Sequence, residues 1–201
     1  MRKNITRTLV GGLVLAATLA LTACGTPPWE EAGIGGGSTP KPTSTGQITT
    51  VVNELAAGST KHELTAGAIG LDVTYFSTLD MGQWTADADK PISISMTAAL
   101  TGDEGQAVYL SRLGLSVAVY GPDGVLTAPA PLNDTSTVTP GYLVKTPYSY
   151  SQTFILPALD PAATYVKLSF TYELLLQTTP TSVSYAKQTA TDTLTVAIAQ
   201  P

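Results

Sequence analysis

Apolar and polar residues alternate along six segments of the chain after residue 68. In the first segment an apolar side chain stands at every second position, at Ile69, Leu71, Val73 and Tyr75. Because successive side chains of a strand point to opposite faces of its sheet, this period of two predicts strands with one buried face. The same pattern recurs at 92–97, 113–119, 148–156, 166–174 and 193–198. Weaker strand candidates lie at 48–53, 125–128, 142–145 and 182–187.

The segments between these strands carry turn residues. Gly121-Pro122-Asp123-Gly124 combines a proline that presets φ, an aspartate that caps the turn and a glycine that accepts positive φ. Thr139-Pro140-Gly141 and Asp160-Pro161 mark two more turns. Convincing helical periodicity is absent. The pattern therefore predicts an all-β fold, an antiparallel β-sandwich, with a small barrel as the alternative.

The N-terminal residues have the features of a targeting signal. Three basic residues within the first seven precede an uncharged stretch from Leu9 to Ala23. This stretch is shorter than the roughly 20 residues that a membrane-spanning helix needs. Its length and its basic flank are typical of a secretory signal peptide.

The signal ends in Leu21-Thr22-Ala23-Cys24, which resembles the lipobox of bacterial lipoproteins. The resemblance implies that the thiol of Cys24 receives a diacylglyceryl group and that the chain is cut between Ala23 and Cys24. Two or three acyl chains hold a domain firmly to a bilayer, since each buried CH₂ contributes about 0.8 kcal/mol. The expected location is the extracytoplasmic face of the cell membrane. The alternative is an ordinary signal with Ala23 as the cleavage residue.

The chain divides by composition into three parts: a signal peptide at 1–23, a lipidated cysteine with a Gly/Pro/Ser/Thr-rich linker at 24–47, and a sandwich domain at 48–201. Loss of the signal leaves seven basic and 15 acidic residues, a net charge of −8. Such a body is not attracted to anionic lipid, so the membrane contact is expected from the lipid anchor alone. With 10 basic residues in the whole chain, a nucleic-acid partner is not expected.

The segment before the fifth clear strand, residues 159–168, resembles the corner between strands E and F of fibronectin type III and related immunoglobulin-like domains. The pattern is Leu159, then Pro161, then Tyr165. The resemblance implies an immunoglobulin-like sandwich of 7–9 strands, with strand F at 165–176 and strand G at 191–199. It also implies that the Tyr165 hydroxyl bonds a backbone group a few residues upstream.

The chain offers little material for catalysis. One cysteine and one histidine exclude a disulfide framework and a multi-histidine metal centre. His62 is the one candidate general base, but no Gly-x-Ser-x-Gly elbow accompanies it, and we interpret it as an exposed edge residue. We therefore expect no enzyme, no catalytic residues and no cofactor.

An acidic loop carries Asp80, Asp87 and Asp89, and neighbouring carboxylates can bind Ca²⁺. The EF-hand pattern fails because Lys90 and Pro91 follow Asp89 where a ligand and a glycine should stand. We interpret the segment as a solvated turn and assign no metal site. Whether the loop binds calcium is left open.

The remaining candidate is a binding surface of Trp84, Tyr142, Tyr148 and Tyr150, since Tyr and Trp bring a large contact area at low entropic cost. The alternative is that the tyrosines are half-buried strand residues. The sequence thus predicts a membrane-anchored binding or envelope-interaction module, with an envelope protein or a glycan as partner. The alternatives are a small-molecule or metal carrier of the envelope and, least favoured, an extracellular hydrolase. The ligand, pathway and oligomeric state are not readable from the sequence.

Overall fold

The computed structural model describes residues 51–200, which form two antiparallel sheets packed face to face. Its one helical element is a 3₁₀ turn at Met81–Gln83. The strands are β1 (Ser59–Ala66), β2 (Ile69–Phe76), β3 (Lys90–Leu100), β4 (Val108–Gly121), β5 (Gly124–Leu126), β6 (Leu132–Thr135), β7 (Tyr142–Leu143), β8 (Tyr150–Leu156), β9 (Tyr165–Gln177) and β10 (Tyr185–Ala197).

The smaller sheet has the strand order β1-β2-β3-β8. The larger sheet has the order β10-β9-β4-β5, and β6 and β7 also pair with β4. The strands within each sheet pair antiparallel, as the predicted β-sandwich requires. The predicted fold class is therefore confirmed. The ten strands exceed the predicted 7–9 because three short strands, β5, β6 and β7, share the outer edge of β4.

The core lies between the sheets and is built from the alternating positions that the sequence predicts. In β9 every even-numbered residue from Val166 to Leu174 is fully buried, while the odd-numbered residues face outward. The corresponding apolar residues of β2, β3, β4 and β10 are buried in the same way. Burial of these side chains is the main favourable contribution to folding, about 25 cal/mol per Å² of apolar surface.

One weak strand candidate was wrong over its described part. Residues 51–53 form no strand, and 48–50 lie outside the described residues. The Asn53 side chain instead accepts a hydrogen bond from the backbone N–H of Leu55 (3.1 Å), which opens a turn ahead of β1. This turn places Leu55 in the core with no exposed surface.

The hydrogen bonds at the corner before β9 differ from those that the resemblance implies. Tyr165 begins β9 as expected, but within residues 51–200 its hydroxyl makes no hydrogen bond. The backbone N–H and the hydroxyl of Thr164 both donate to the carbonyl of Tyr120, at 2.7 and 3.1 Å. The Tyr165 ring stacks on the Tyr120 ring, with centroids 4.6 Å apart. Thr164 thus ties this corner to β4, and the bond that the resemblance implies for the Tyr165 hydroxyl is not formed among the described residues.

No helix among the described residues is long and apolar enough to cross a membrane. The predicted cleavage site at Ala23 and lipid-attachment site at Cys24 lie outside the described residues, so both stay predictions.

Candidate functional site

Trp84 does not belong to an exposed surface, contrary to the sequence prediction. Its side chain is 0% exposed. The indole Nε1 donates to the hydroxyl of Ser77 (2.9 Å), and the backbone carbonyl accepts from Ala199 (3.0 Å). The 3₁₀ turn before it folds the large ring back over the end of the core, where burial of its apolar surface stabilises the fold. A loop position in sequence did not mean a solvent position in space.

Tyr142 and Tyr150 do come together, at the lateral edge where β7 of the larger sheet approaches β8 of the smaller one. Their rings are stacked with centroids 5.6 Å apart and an interplanar angle of 27°. Tyr150 is only 8% exposed, and its hydroxyl donates to a carboxylate oxygen of Asp134 in β6 (2.6 Å). Burial, followed by this bond to the carboxylate, raises the pKa of Tyr150 far above its usual value. These rings therefore brace the two sheets against each other, and of the two only Tyr142 is appreciably exposed.

An open cavity of about 650 Å³ lies over this ring pair. We call its lining the edge surface; it consists of Asp134, Val138, Gly141, Tyr142, Leu143, Ser149, Tyr150, Ser151 and Gln152. Tyr148, which immediately precedes the lining residue Ser149, is not in the lining and is 56% exposed. Lys145 takes no part in it, since its ammonium donates to Asp103 (2.6 Å) and to the carbonyl of Gln106 (2.8 Å). The edge surface is mostly uncharged, with aromatic, hydroxyl and amide groups around one carboxylate.

The glycine in the edge surface is required by a close backbone approach. A Cβ on Gly141 would stand 2.6 Å from the carbonyl oxygen of Leu110 in β4. Only a residue without a side chain lets the chain pass β4 so closely, and this contact sets β7 and Tyr142 in place. The turn predicted at Thr139-Pro140-Gly141 thus positions the edge surface.

His62 lies in a second polar cluster, on the opposite lateral side of the sandwich, where β1 faces β10. Its Nδ1 is 2.7 Å from a carboxylate oxygen of Asp192, and its Nε2 is 3.5 Å from Glu54. His62 is an edge residue, as interpreted, since β1 is the edge strand of the smaller sheet, but its side chain is only 23% exposed and so is partly buried. The imidazole is enclosed by two carboxylates from elements before and after it in the chain.

The same Asp192 oxygen accepts a hydrogen bond from the hydroxyl of Tyr75 (2.7 Å), which in turn lies 3.0 Å from the hydroxyl of Tyr172. Burial raises the pKa of Tyr75 far above its usual value, and the neighbouring Tyr172 adds to the effect. Burial also raises the pKa of Tyr172. Both phenols therefore stay neutral and remain donors, and the cluster ties β2, β9 and β10 together through the core.

The acidic loop is organised around an ammonium group of the chain itself. Lys90 is fully buried, and its Nζ donates to three backbone carbonyls, of Thr85 (3.1 Å), Ala86 (3.3 Å) and Ala88 (2.5 Å). Burial lowers the pKa of Lys90, and the nearby Asp89 and Asp87 oppose that effect. Inside the loop a side-chain cation is thus bound to three backbone carbonyl oxygens, a type of group that also ligates Ca²⁺ in proteins.

Two of the three acidic side chains of this loop are engaged in local bonds. Asp80 accepts from the N–H of Gly82 (2.7 Å), and Asp87 accepts from the hydroxyl of Thr85 (2.5 Å). The bond from Thr85 is the main cause that lowers the pKa of Asp87. Across residues 51–200, no group of three or more His, Cys, Asp and Glu side chains is placed to hold a metal ion.

The two-residue period of the strands indicates which charged residues are buried, although the residue types alone do not. Lys90 is in phase with Ile92 and Ile94, the inward positions of β3. Asp192 is in phase with Ala190 and Leu194, the inward positions of β10. A charged residue at a core-facing position indicates a buried partner, since an unpaired buried charge is too costly to keep. The partners themselves could not be read from the sequence.

No protein-family model matches the chain, and no curated protein matches it.

Proposed function

We propose that the protein is a lipid-anchored module on the extracytoplasmic face of the membrane, which binds a component of the cell envelope through the edge surface. The observation that carries the binding role is the open cavity over the Tyr142–Tyr150 pair. Its volume lies within the roughly 300–1,000 Å³ of common binding sites. The anchoring role rests on Cys24 and the residues before it.

The edge surface is suited to contact because its supports are rigid. Tyr150 is fixed by its bond to Asp134, and Tyr142 is fixed by stacking on Tyr150. A rigid aromatic surface loses little conformational freedom when it is covered. Val138 in the lining and Tyr148 just outside it are both more than half exposed, so Tyr148 extends the apolar contact beyond the cavity.

Anchoring is tested by metabolic labelling with an alkyne palmitate. We expect label on the wild-type protein and none on Cys24→Ala, and we expect Cys24→Ala to leave the membrane fraction. Equal labelling of both, or labelling of neither, refutes the anchor.

Contact through the edge surface is tested by tyrosine footprinting, with the purified protein compared with intact envelopes. Tyr148 should be modified more slowly in the envelope, because the partner covers it. Tyr120, half-buried on the outer face of the larger sheet, is the internal control and should react at the same rate in both samples. Unchanged reactivity of Tyr148 excludes this surface as the contact.

A small-molecule carrier is the second candidate function, and one observation favours it. A cavity of about 400 Å³ lies at the end of the sandwich near the C-terminus, with Ala86, Leu159 and Pro161 in its lining. Native mass spectrometry of the protein purified from its own envelope tests this. A bound mass that disappears with Leu159→Trp supports a carrier, and a bare protein mass opposes it.

A further inference from the structure

Three of the four lateral edges of the sandwich are protected against pairing with another strand. The β1 edge carries the charged residues Lys61 and Glu63 together with His62. On the β10 edge, the backbone N–H of Glu54 donates to Thr195, and the Glu54 carboxylate accepts from the same residue. The edge beside β4 is broken into three strands of two to four residues. Charge, a covering segment and short strands are the usual means by which proteins prevent edge-to-edge association.

The β8 edge has none of these protections. Its seven residues pair with β3 on one side, and within the described part of the chain no strand pairs with the other side. The sequence from 146 to 159 contains no charged residue. Ile155 points outward and is 51% exposed. An uncharged strand edge with free backbone groups is a template for strand addition.

We propose that β8 pairs with β8 of a second copy of this chain, antiparallel about a two-fold axis at Thr153. The two four-stranded sheets then join into one sheet of eight strands. This inference rests on the proposed function in one respect: it names the partner of the edge surface, three of whose residues belong to β8.

The sequence of β8 is complementary to itself in this register. With Thr153 on the axis, all seven residues overlap, and every cross-strand pair joins residues of the same face. Ser151 then stands opposite Ile155 of the second copy, and Thr153 stands opposite its own equivalent. A Thr–Thr pair is a favourable cross-strand pair, and no like charges meet anywhere along the strand. A small residue opposite Ile155 leaves room for that exposed side chain to be covered.

The ring geometry favours a protein strand over a glycan at this edge. Sugar recognition by tyrosine needs an open ring face, but Tyr150 is nearly buried and Tyr142 stacks on it. The unpaired groups of β8 are instead backbone donors and acceptors in a regular row. These groups match another strand better than they match the scattered hydroxyls of a sugar.

The association is expected to depend on the membrane. A seven-residue strand pair buries less than the roughly 1,200–2,000 Å² of a stable interface, so the dimer in dilute solution is weak. Anchoring both copies in one membrane raises their effective concentration and favours the pair.

The test is a cysteine on the two-fold axis. Directly opposed residues of an antiparallel pair have Cα atoms about 4.5–5.5 Å apart, within the range that a disulfide spans. Thr153→Cys in the full chain, expressed in its own envelope, should give a disulfide-linked band at twice the monomer mass on a non-reducing gel. Thr191→Cys, also at an exposed position but on the outer face of the larger sheet, is the matched control, and the wild type reports any dimer formed through Cys24.

Further variants test the register and the fold. Ser151→Cys alone should give at least five-fold less dimer than Thr153→Cys, while co-expressed Ser151→Cys and Ile155→Cys chains should crosslink to each other. Ile155→Lys added to Thr153→Cys should reduce the dimer at least five-fold. Thr65→Lys, on the β1 edge, should leave it unchanged.

The proposal is overturned if Thr153→Cys gives no more disulfide-linked dimer than the Thr191→Cys control. A crosslink to a different protein, or a monomeric Thr153→Cys with Tyr148 still protected in the envelope, also overturns it by assigning the edge to another occupant. Palmitate labelling of the same samples separates the two proposals. Label without a crosslink retains the anchor and overturns the β8 pair, whereas a crosslink without label retains the β8 pair and overturns the anchor.

Discussion

The hydroxyl of Tyr75 is expected to contribute measurably to stability, because it joins three strands through one buried network. Tyr75→Phe removes the donor to Asp192 (2.7 Å) and the contact with the Tyr172 hydroxyl (3.0 Å). The ring itself stays, with its packing on Phe170 at 4.8 Å between centroids. The change therefore isolates the hydrogen bonds from the packing of the core.

The expected loss follows from these two contacts. A hydrogen bond to a charged acceptor contributes about 1.5–3 kcal/mol, and a neutral one about 1 kcal/mol. Asp192 keeps its contact with His62, so the carboxylate is not left without a partner. We expect Tyr75→Phe to lower the free energy of unfolding by about 2.5–4 kcal/mol. With a urea m-value of about 2 kcal/mol/M, the unfolding midpoint should fall by about 1.2–2 M.

Urea unfolding followed by tryptophan fluorescence measures this, since Trp84 is buried in the folded state. Tyr148→Phe is the matched control, and its exposed hydroxyl should change stability by less than about 0.5 kcal/mol. In a double-mutant cycle, Tyr75→Phe and Asp192→Ala should show a coupling of about 1 kcal/mol or more. Strict additivity, or a loss for Tyr75→Phe no larger than the control's, would refute the network as a source of stability.

Three further outcomes are expected. Gly141→Ala should lower the free energy of unfolding in urea by about 1–3 kcal/mol, because its Cβ would collide with the backbone carbonyl of Leu110. Gly70→Ala is the control, since its Cβ would meet nothing within 4 Å, and it should leave the free energy of unfolding unchanged or slightly raised. Equal effects of the two changes contradict the close approach at Gly141. The hydrogen bond from Lys187 lowers the pKa of Glu173 in the folded protein. This pair therefore stabilises the fold above the unfolded-state pKa of Glu173, and its contribution is lost as pH falls through the folded-state pKa. Lys187→Met should flatten the decline of the melting temperature below about pH 4.5, and an unchanged acid profile contradicts this. In an alkaline absorbance titration, three of the nine tyrosines, Tyr75, Tyr150 and Tyr172, should stay protonated until the protein unfolds. Because their pKa values are raised in the folded protein, the free energy of unfolding should fall as pH rises above about 10. Full ionisation of all nine tyrosines in a folded sample contradicts the burial of these three.

The sequence by itself determined where most strands run and which of their faces is buried. The period of two in segments such as 166–174 depends only on the geometry of an extended chain, and so the alternation of β9 could be read without its neighbours. The same reading gave the sandwich as fold class. Turn chemistry gave Gly121-Pro122-Asp123-Gly124, which joins β4 to β5.

Only the tertiary structure decided which side chains meet. His62 and Asp192 are 130 residues apart and contact each other because β1 and β10 lie on the same side of the sandwich. Trp84 is buried because a short turn folds it over the core, and Lys90 is buried because three carbonyls of one loop enclose its ammonium. Local periodicity specifies the direction of a side chain, whereas its partners depend on strand order and sheet packing, which no local pattern encodes.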